Sequence, residues 1–476
     1  MLEQCNSRLK PLYQKVSAGR YRPRWHLASP CGWMNDPHTP VWFKGAYHLF
    51  YNQFPFDAQG VRPKIWGHAV TRDFCSYTIY PFAIAPDCSY DRDGCASGSV
   101  IAANDQLVLA YTGRNYFSSE RECQCIASSS DGIHFQKQEN NPVIRLSGDA
   151  GENFRDPWIY RSAGEYRMIV AQQQGPSPVL RLYRSRNLIT WEDAGIFCDP
   201  GSGFGTMWEC PSLGKVNGQD FLVVSPEGMD DSDQKTVVFS GMLSGDGCRF
   251  EPVVCCDLDY GCDYYAGQFF TDRQGNPCLT GWIGKWENQQ PARQEGWIGA
   301  CSLPRLCLPP EDGAFRFAPH PILEGLRGRP SVFSRTVASQ DKNPFETVRG
   351  DCMEIRLTIG RETLEPGFTM RLFDGDKPDG LQLEFSKGAI HVKNLTVCHP
   401  GSVHTAPVPD GNDPLSIAIF LDVSIAEIFI DNRIAISHRV YPRNGSNRIT
   451  VFAPQPFSVE RAVFYPLRNA PISFWD

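Results

Sequence analysis

The chain has 476 residues, of which 41% are hydrophobic and 21% are charged, and this length predicts two domains of a soluble globular protein. Its 46 basic and 53 acidic residues give a net charge of −7 without long blocks of like charge, which argues against nucleic acid and anionic membranes as partners. The N-terminus is charged throughout, and no segment is apolar over the about twenty residues that a membrane helix needs, so we expect no membrane attachment and a cytoplasmic location.

Cysteine spacing gives no sign of a disulfide framework or of a metal site. The 18 cysteines are spread over the whole chain, and we interpret them as reduced thiols, most of them packed as small hydrophobic side chains. The local groups Cys123-Gln-Cys125, Cys255-Cys256 and Cys262 lack the paired C-x2-C spacing of zinc sites, and the ten histidines form no H-E-x-x-H motif. We therefore expect neither a metal nor a cofactor.

Residues 1–20 form an N-terminal extension, and the first clear elements follow it. Between Val41 and Tyr51 apolar residues alternate around Lys44-Gly45, which predicts two strands of a hairpin. Asp36 lies just before this hairpin, among apolar and ring side chains. A carboxylate in that position calls for an explanation.

Similar openings recur at intervals of about sixty residues along the chain. They are Asn35-Asp36-Pro37, Ser97-Gly98-Ser99, Arg155-Asp156-Pro157, Trp208-Glu209-Cys210-Pro211 and Tyr265-Ala266-Gly267-Gln268. Each is followed by an apolar stretch, a turn and a second apolar stretch. This repeat predicts a five-bladed β-propeller over residues 21–325, in which the openings converge at one end of a central funnel.

The pattern of apolar and polar residues changes after the fifth repeat. We predict a linker at 326–340, followed at 341–476 by short alternating runs that are separated by Gly, Asn and Asp turns. This pattern is typical of an antiparallel β-sandwich. The predicted fold class is therefore all-β, a five-bladed β-propeller followed by a C-terminal antiparallel β-sandwich.

Three of the openings carry a carboxylate, namely Asp36, Asp156 and Glu209. A single carboxylate is usually a solvated surface group, but three in phase with the repeat, each between bulky or rigid neighbours, predict a shared pocket. Two carboxylates that face a ligand can cleave a glycoside, one as nucleophile or base and one as proton donor. Glu209 beside Trp208 fits the acid, and Asp36 fits the nucleophile.

The third carboxylate and several rings complete the expected pocket. Asp156 would bind substrate hydroxyls, with Arg155 keeping its carboxylate ionised. Aromatic side chains near the same level could stack on sugar rings or could equally be core; these are Trp33, Trp66, Tyr265, Trp282 and Trp297.

The motifs stand in an order that resembles glycoside hydrolase family 32, the invertases and fructanases. They are Trp33-Met-Asn-Asp36-Pro, Trp66-Gly-His68, Ser97-Gly-Ser99, Arg155-Asp156-Pro157, Trp208-Glu209-Cys210-Pro211, Asp263-Tyr-Tyr265-Ala-x-Gln268 and Gly281-Trp282. The resemblance extends through Leu421-Asp-x-Ser424-x-x-Glu427 to the C-terminal module, and so covers essentially the whole chain.

This resemblance implies a retaining β-fructofuranosidase that acts on small sugars such as sucrose and raffinose. Asp36 matches the nucleophile, Glu209 the acid and base, and Asp156 the residue that binds fructose hydroxyls and favours the transition state. The substrate-binding residues implied by the motifs are Asn35, Asn52, Trp66, Ser97, Arg155, Tyr265 and Trp282.

Three departures from the family pattern affect the expected leaving-group preference. His38-Thr39 stands where Asn-Gly is usual, Asn52 where a Gln is usual, and Ala96 where an aromatic residue is usual. A hydrolase of phosphorylated sucrose is one alternative, for which Arg62 and Lys64 could contact the phosphate. An inverting propeller glycosidase of arabinose or xylose polymers and a non-catalytic sugar-binding propeller are the other two. The oligomeric state is left open.

Overall fold

The computed structural model describes most of the chain and confirms the predicted fold class. It describes residues 1–60, 63–118, 121–146, 153–201, 203–229, 235–286, 290–311, 313–396 and 402–475. Within these ranges, the single α-helix is α1 (Leu2–Val16), which packs against the first blade. There Asn6 Oδ1 accepts a hydrogen bond from the Phe82 amide at 2.8 Å. No helix among the described residues is long and apolar enough to cross a membrane.

The first blade begins with the predicted hairpin, which is confirmed. Its strands are β1 (Gly32–Phe43), β2 (Ala46–Phe54), β3 (Ile65–Thr71) and β4 (Tyr77–Ile84). Lys44 and Gly45 both have positive φ, at 46° and 85°. That conformation twists a two-residue turn in the same sense as the flanking strands, which is why it closes this hairpin.

Four further antiparallel sheets complete the propeller. The second contains β5 (Gly94–Ala103), β6 (Gln106–Arg114), β7 (Glu122–Ser129), β8 (Gln136–Lys137) and β9 (Ile144–Arg145). The third contains β10 (Phe154–Ser162), β11 (Glu165–Gln174), β12 (Ser177–Ser185) and β13 (Glu192–Cys198). The fourth contains β14 (Met207–Val216), β15 (Gln219–Glu227), β16 (Val237–Leu243) and β17 (Phe250–Asp257).

The fifth blade closes the ring against the first. This part of the chain forms β18 (Tyr264–Thr271), β19 (Pro277–Ile283), β20 (Trp297–Ile298), β21 (Ala300–Cys301), β22 (Arg305–Glu311) and β23 (Ala314–Pro319), and all of them except β20 belong to the fifth sheet. Of these, β20 pairs in parallel with β1 instead of with its own blade. Because this pairing joins the last repeat to the first, the propeller has no open seam there. Short 3₁₀ helices at Pro291–Arg293, Pro321–Leu326 and Arg361–Leu364 occupy connections.

Two sheets form the C-terminal sandwich. The strands are β24 (Ser331–Ala338), β25 (Cys352–Ile359), β26 (Phe368–Asp374), β27 (Leu381–Ser386), β28 (Ala389–Asn394), β29 (Val403–Pro407), β30 (Leu415–Asp422), β31 (Ile425–Ile430), β32 (Ile434–Arg439), β33 (Arg448–Phe452) and β34 (Phe457–Pro466). A last short strand, β35 (Ile472–Phe474), follows them in the chain and lies outside both sheets. One sheet has the order β24-β34-β25-β30-β31-β32 and the other β29-β28-β27-β26-β33. Their inner faces form one hydrophobic core.

Two segments differ from the predicted domain boundaries. The stretch predicted as a linker at 326–340 contains β24, which pairs with β34 and is an edge strand of the sandwich. The end of the predicted sandwich, β35, returns to the propeller and pairs in parallel with β4. In both segments, pairing with a strand distant in the chain determines which sheet the strand joins. The alternation of apolar residues within a segment does not reveal that partner.

A buried charge network joins the two domains. His26 contacts Asp422 through Nδ1 at 2.8 Å and Glu427 through Nε2 at 3.0 Å. Arg305 donates to Asp259 at 2.7 Å and to the same Glu427 at 3.1 Å. Burial opposes the charge on His26, but the two carboxylates outweigh it and raise the histidine's pKa. Removing one member would leave an uncompensated buried charge, so this network fixes the sandwich on the propeller.

Candidate active site

The first strand of every blade breaks its register near its beginning. The breaks lie between Asn35 and Pro37, Ala96 and Gly98, Arg155 and Trp158, Glu209 and Ser212, and Tyr265 and Gln268. Four of them contain a non-glycine residue at positive φ: Asp36 at 35°, Asp156 at 62°, Cys210 at 51° and Ala266 at 53°. A β-bulge re-aims the local side chains, and strained backbone of this kind is typical of functional sites. The repeated openings in the sequence are therefore these bulges.

Asp36 is held by polar side chains from three strands. Its Oδ2 accepts hydrogen bonds from Asn35 Nδ2 at 2.7 Å, from Ser97 Oγ at 2.8 Å and from Asn52 Nδ2 at 3.4 Å. Asn52 also donates to Ser97 Oγ at 2.7 Å, which links these side chains into one network. The other oxygen, Oδ1, is buried and has no hydrogen-bond partner among the described residues.

The environment of Asp36 disfavours its charge. Burial and the negative charge of Glu209 raise its pKa to about 6, against the hydrogen bonds from Ser97 and Asn35 and the positive charge of Lys64. Asp36 therefore carries a charge that water solvates poorly, and a few fixed donors stabilise that charge instead.

Glu209 faces the same site from the fourth blade. Its Oε1 accepts from Arg155 Nε at 2.8 Å, and its Oε2 accepts from the Tyr265 hydroxyl at 2.6 Å. Burial opposes the ionised form, but the Arg155 charge and these two hydrogen bonds outweigh it and lower the pKa of Glu209. Arg155 therefore pairs with Glu209, and not with Asp156 as the sequence suggested. The reason is that a bulged strand turns neighbouring side chains in different directions.

Asp156 is the third carboxylate of the site. Its Oδ2 accepts the Cys210 amide at 3.0 Å, and its own amide donates to Thr112 Oγ1 at 2.9 Å. Burial and the Glu209 charge raise its pKa to about 7, with a smaller contribution from Asp36. The three predicted carboxylates therefore lie within electrostatic reach of one another.

A cavity of about 440 Å³ opens beside Glu209. Its described lining is Arg114, Tyr116, Arg121, Glu122, Asn153, Arg155, Glu209, Glu227 and Trp286. Glu227, which no sequence motif had indicated, accepts a hydrogen bond from Arg155 at 3.0 Å and so shares one guanidinium with Glu209. Burial and the charge and hydrogen bond of Glu209 raise the pKa of Glu227 to about 7. In the sequence, the available signal was its place in Pro226-Glu227-Gly228, just after the apolar run that forms β15.

The predicted sugar-stacking role of Trp66 and Trp282 requires a correction. Both rings are fully buried. Trp66 stacks on His38 at 3.8 Å between ring centroids and donates to the Ala96 carbonyl at 3.0 Å. Trp282 contacts Trp286 at 5.5 Å. Neither ring presents a free face to the cavity, since neighbouring side chains already cover them.

The exposed ring at the cavity is Trp286, whose relative exposure is 42%. It stacks on buried Trp33 at 4.8 Å, and Lys64 Nζ lies 5.2 Å from its centroid. Trp286 was not singled out in the sequence because it follows the Gly281-Trp282 motif in a loop. Of the two basic residues suggested for a phosphate, Lys64 therefore packs on tryptophans, while Arg62 lies outside the described residues.

Groups that could hold a metal ion lie away from this cavity in the described part of the chain. They are Cys262 with Asp263 and His438, Asp272 with Cys278 and His320, and Asp87 with Cys88 and Asp91. The carboxylates of the site have amide, hydroxyl and guanidinium donors as partners instead. This arrangement suits acid–base and nucleophilic chemistry carried out by side chains.

Comparisons with known proteins agree with this architecture. Residues 26–313 match the family described as glycosyl hydrolases family 32 N-terminal domain, and residues 323–465 match glycosyl hydrolases family 32 C terminal. A sucrose-6-phosphate hydrolase of Zymomonas mobilis is 32% identical over 94% of this chain and 92% of its own length. A raffinose invertase of Escherichia coli is 31% identical over 92% of this chain and 94% of its own.

Solved structures show the same fold. A sucrose-6-phosphate hydrolase from Lactobacillus gasseri superposes with a TM-score of 0.87 at 25% identity, covering 97% of this chain and 96% of its own. A Bombyx mori GH32 beta-fructofuranosidase superposes with a TM-score of 0.86 at 26% identity, covering 99% and 100%. With both domains matched along nearly their whole length, the chain belongs to glycoside hydrolase family 32 and is a glycoside hydrolase.

Proposed function

We propose that the protein is a retaining β-fructofuranosidase that cleaves the terminal non-reducing β-D-fructofuranoside bond of sucrose and of related sugars such as raffinose. The observation that carries this proposal is a pair of nearby carboxylates, Asp36 and Glu209, that have different hydrogen-bond partners. Asp36 has one oxygen fixed by three donors and one without a partner among the described residues. Glu209, within reach of its charge, is engaged by Arg155 and Tyr265.

In the first step, Glu209 gives a proton to the glycosidic oxygen while Asp36 attacks the anomeric carbon. The bond between that carbon and the leaving oxygen breaks, and a fructosyl ester of Asp36 forms. Asp36 Oδ1, which no described residue engages, is the oxygen free to form this bond. Asn35, Ser97 and Asn52 keep Oδ2 in place, so the carboxylate reaches the carbon in a defined orientation.

In the second step, Glu209 takes a proton from water, and the resulting hydroxide equivalent attacks the anomeric carbon. The ester bond to Asp36 breaks and fructose leaves with its original configuration. Asp156, whose Oδ2 is fixed by the Cys210 amide, binds fructose hydroxyls and stabilises the positive charge that develops on the sugar ring.

Glu227 is the group that supplies Glu209 with the proton it gives to the glycosidic oxygen. Arg155 and Tyr265 both donate to Glu209 and favour its ionised form. Glu227 shares the Arg155 guanidinium with Glu209, and burial and the Glu209 charge raise the pKa of Glu227 to about 7. The pair therefore shares one proton, which Glu227 holds until a glycosidic oxygen approaches and Glu209 becomes the better base.

The leaving-group side of the cavity carries charges of both signs. Three arginines and three glutamates line it among the described residues, so their formal charges cancel when all are ionised. A hydrolase of sucrose 6-phosphate is the second candidate. The names of several relatives support it, and protonation of Glu227 would leave the wall with an excess positive charge, which a phosphate would stabilise.

A product assay tests these proposals. Purified protein is incubated with sucrose, raffinose, sucrose 6-phosphate and a linear arabinan, and free fructose and its partner sugar are measured. Fructose from sucrose and raffinose supports the main proposal, whereas fructose from the phosphorylated sugar alone favours the second candidate. Release of arabinose would favour the inverting alternative, and no product from any substrate would favour a sugar-binding protein.

The stereochemistry of the first product separates retention from inversion. Proton and carbon NMR of fructose released in the first seconds should show the β-furanose form before it equilibrates. Early appearance of the α-form would contradict a covalent intermediate on Asp36.

A further inference from the structure

A cluster of metal-binding side chains lies between the two domains, outside the active site. Cys262 and Asp263 come from the loop that leads into β18, and His438 lies in β32 of the sandwich. Asp263 and His438 are completely buried, and Cys262 is 5% exposed. A thiolate, a carboxylate and an imidazole are the three ligand types that zinc takes in proteins.

The separations between the ligand atoms match those around one metal ion. Cys262 Sγ lies 3.3 Å from Asp263 Oδ2 and 3.3 Å from His438 Nδ1, and the last two atoms are 3.8 Å apart. Tetrahedral zinc with bonds of about 2.0–2.3 Å to these atoms requires ligand–ligand separations of about 3.4–3.6 Å. Shifts of a few tenths of an ångström would therefore place all three atoms in coordination.

The surroundings also resemble those of a structural metal site. Asp263 Oδ2 accepts the Arg439 amide at 2.8 Å, which orients the carboxylate as the outer partners of metal ligands do. His404, in β29, lies beside the cluster with its ring centroid 5.6 Å from that of His438, so it is a candidate for a fourth ligand. One thiolate and one carboxylate would balance a dication in this buried place.

We propose that Cys262, Asp263 and His438 bind a divalent transition-metal ion, with zinc as the best match to the ligand set. The ion ties the loop before β18 to the sandwich. Asp263 is two residues before Tyr265, so the ion also anchors the strand that carries this donor to Glu209. Sequence spacing could not predict the site, because Cys262 and His438 are 176 residues apart.

The test is metal analysis of the full-length protein after incubation with zinc and removal of unbound ion. Plasma mass spectrometry should find about one zinc per chain in the wild type, and Cys262→Ser and His438→Gln should each retain less than about a fifth of it. Cys307→Ser is the matched control, because Cys307 is also a buried cysteine of the fifth blade; it should keep the wild-type metal content.

Cobalt spectroscopy of the wild type gives a second readout that does not depend on folding of the variants. Protein produced with cobalt(II) in place of zinc should show a thiolate-to-cobalt charge-transfer band together with the intense visible bands of tetrahedral cobalt. Three results would overturn the proposal: less than about a tenth of an equivalent of metal in the wild type, equal zinc in the wild type and both variants, or cobalt protein without a thiolate band. The cluster would then be a hydrogen-bonded triad or the metal would lie elsewhere.

Discussion

Replacing Asp36 with Asn should abolish turnover, and the stability of the variant relative to the wild type should rise with pH, because the wild type must bury the Asp36 charge. Burial and the nearby Glu209 raise the Asp36 pKa from 3.8 to about 6. The folded state therefore binds this proton more tightly than the unfolded chain does. Between pH 3.8 and about 6, folding stability falls as pH rises, and above that range the full cost is present.

The magnitude follows from the size of the shift. About two pKa units correspond to about 3 kcal/mol at 1.36 kcal/mol per unit. At about pH 4.5 only about 1 kcal/mol of this cost is expressed, so the stability of Asp36→Asn relative to wild type should rise by about 2 kcal/mol between about pH 4.5 and about pH 7.5. The new amide also places an NH₂ group where Asp36 Oδ1 is buried, at a cost of about 1–3 kcal/mol that does not vary with pH.

The assay is urea unfolding of both proteins across this pH range, followed by tryptophan fluorescence. The difference in unfolding free energy against pH is the quantity to plot, because the constant amide cost cancels in its slope. Asp272→Asn is the matched control, since hydrogen bonds from Asn276 outweigh burial and lower the pKa of Asp272 below 3.8. The stability that this charge contributes is lost only below that pH, so the Asp272→Asn difference should stay flat across the range of the assay. A flat difference for Asp36→Asn, or substantial residual turnover, would refute the reasoning.

Three further outcomes are expected. Glu209→Gln should slow sucrose by at least about 100-fold and slow a fructoside with an activated phenolic leaving group far less, because only the poor leaving group needs the proton; equal losses would contradict the acid role. Glu227→Gln should move the alkaline limb of the kcat/KM profile to lower pH by about one unit, since both the shared proton and a neighbouring negative charge are lost. The exposed Glu251 gives the matched control Glu251→Gln, and an unmoved limb in Glu227→Gln would remove Glu227 from proton supply. Arg155→Lys should lower kcat more than it raises KM, because one ammonium cannot hold Glu209 and Glu227 in the same fork; a change confined to KM would contradict this.

The sequence by itself determined the fold class and the identity of the three carboxylates. Alternation with period two and openings about sixty residues apart are local properties of the chain, and they translate directly into strands and blades. The convergence of Asp36, Asp156 and Glu209 then follows from the symmetry of a propeller. Resemblance of the motifs added the family, which both domain matches confirm.

Only the tertiary structure decided which side chains face the cavity and which partners they have. Trp66 is buried and Trp286 is exposed because different side chains pack over the two rings. Since both are tryptophans, residue type alone does not distinguish them. Arg155 belongs to Glu209 and Glu227 because a bulge turns it away from its neighbour Asp156. The cluster of Cys262, Asp263 and His438 joins two domains. These features arise from contacts between residues distant in the chain, which spacing along a single sequence cannot reveal.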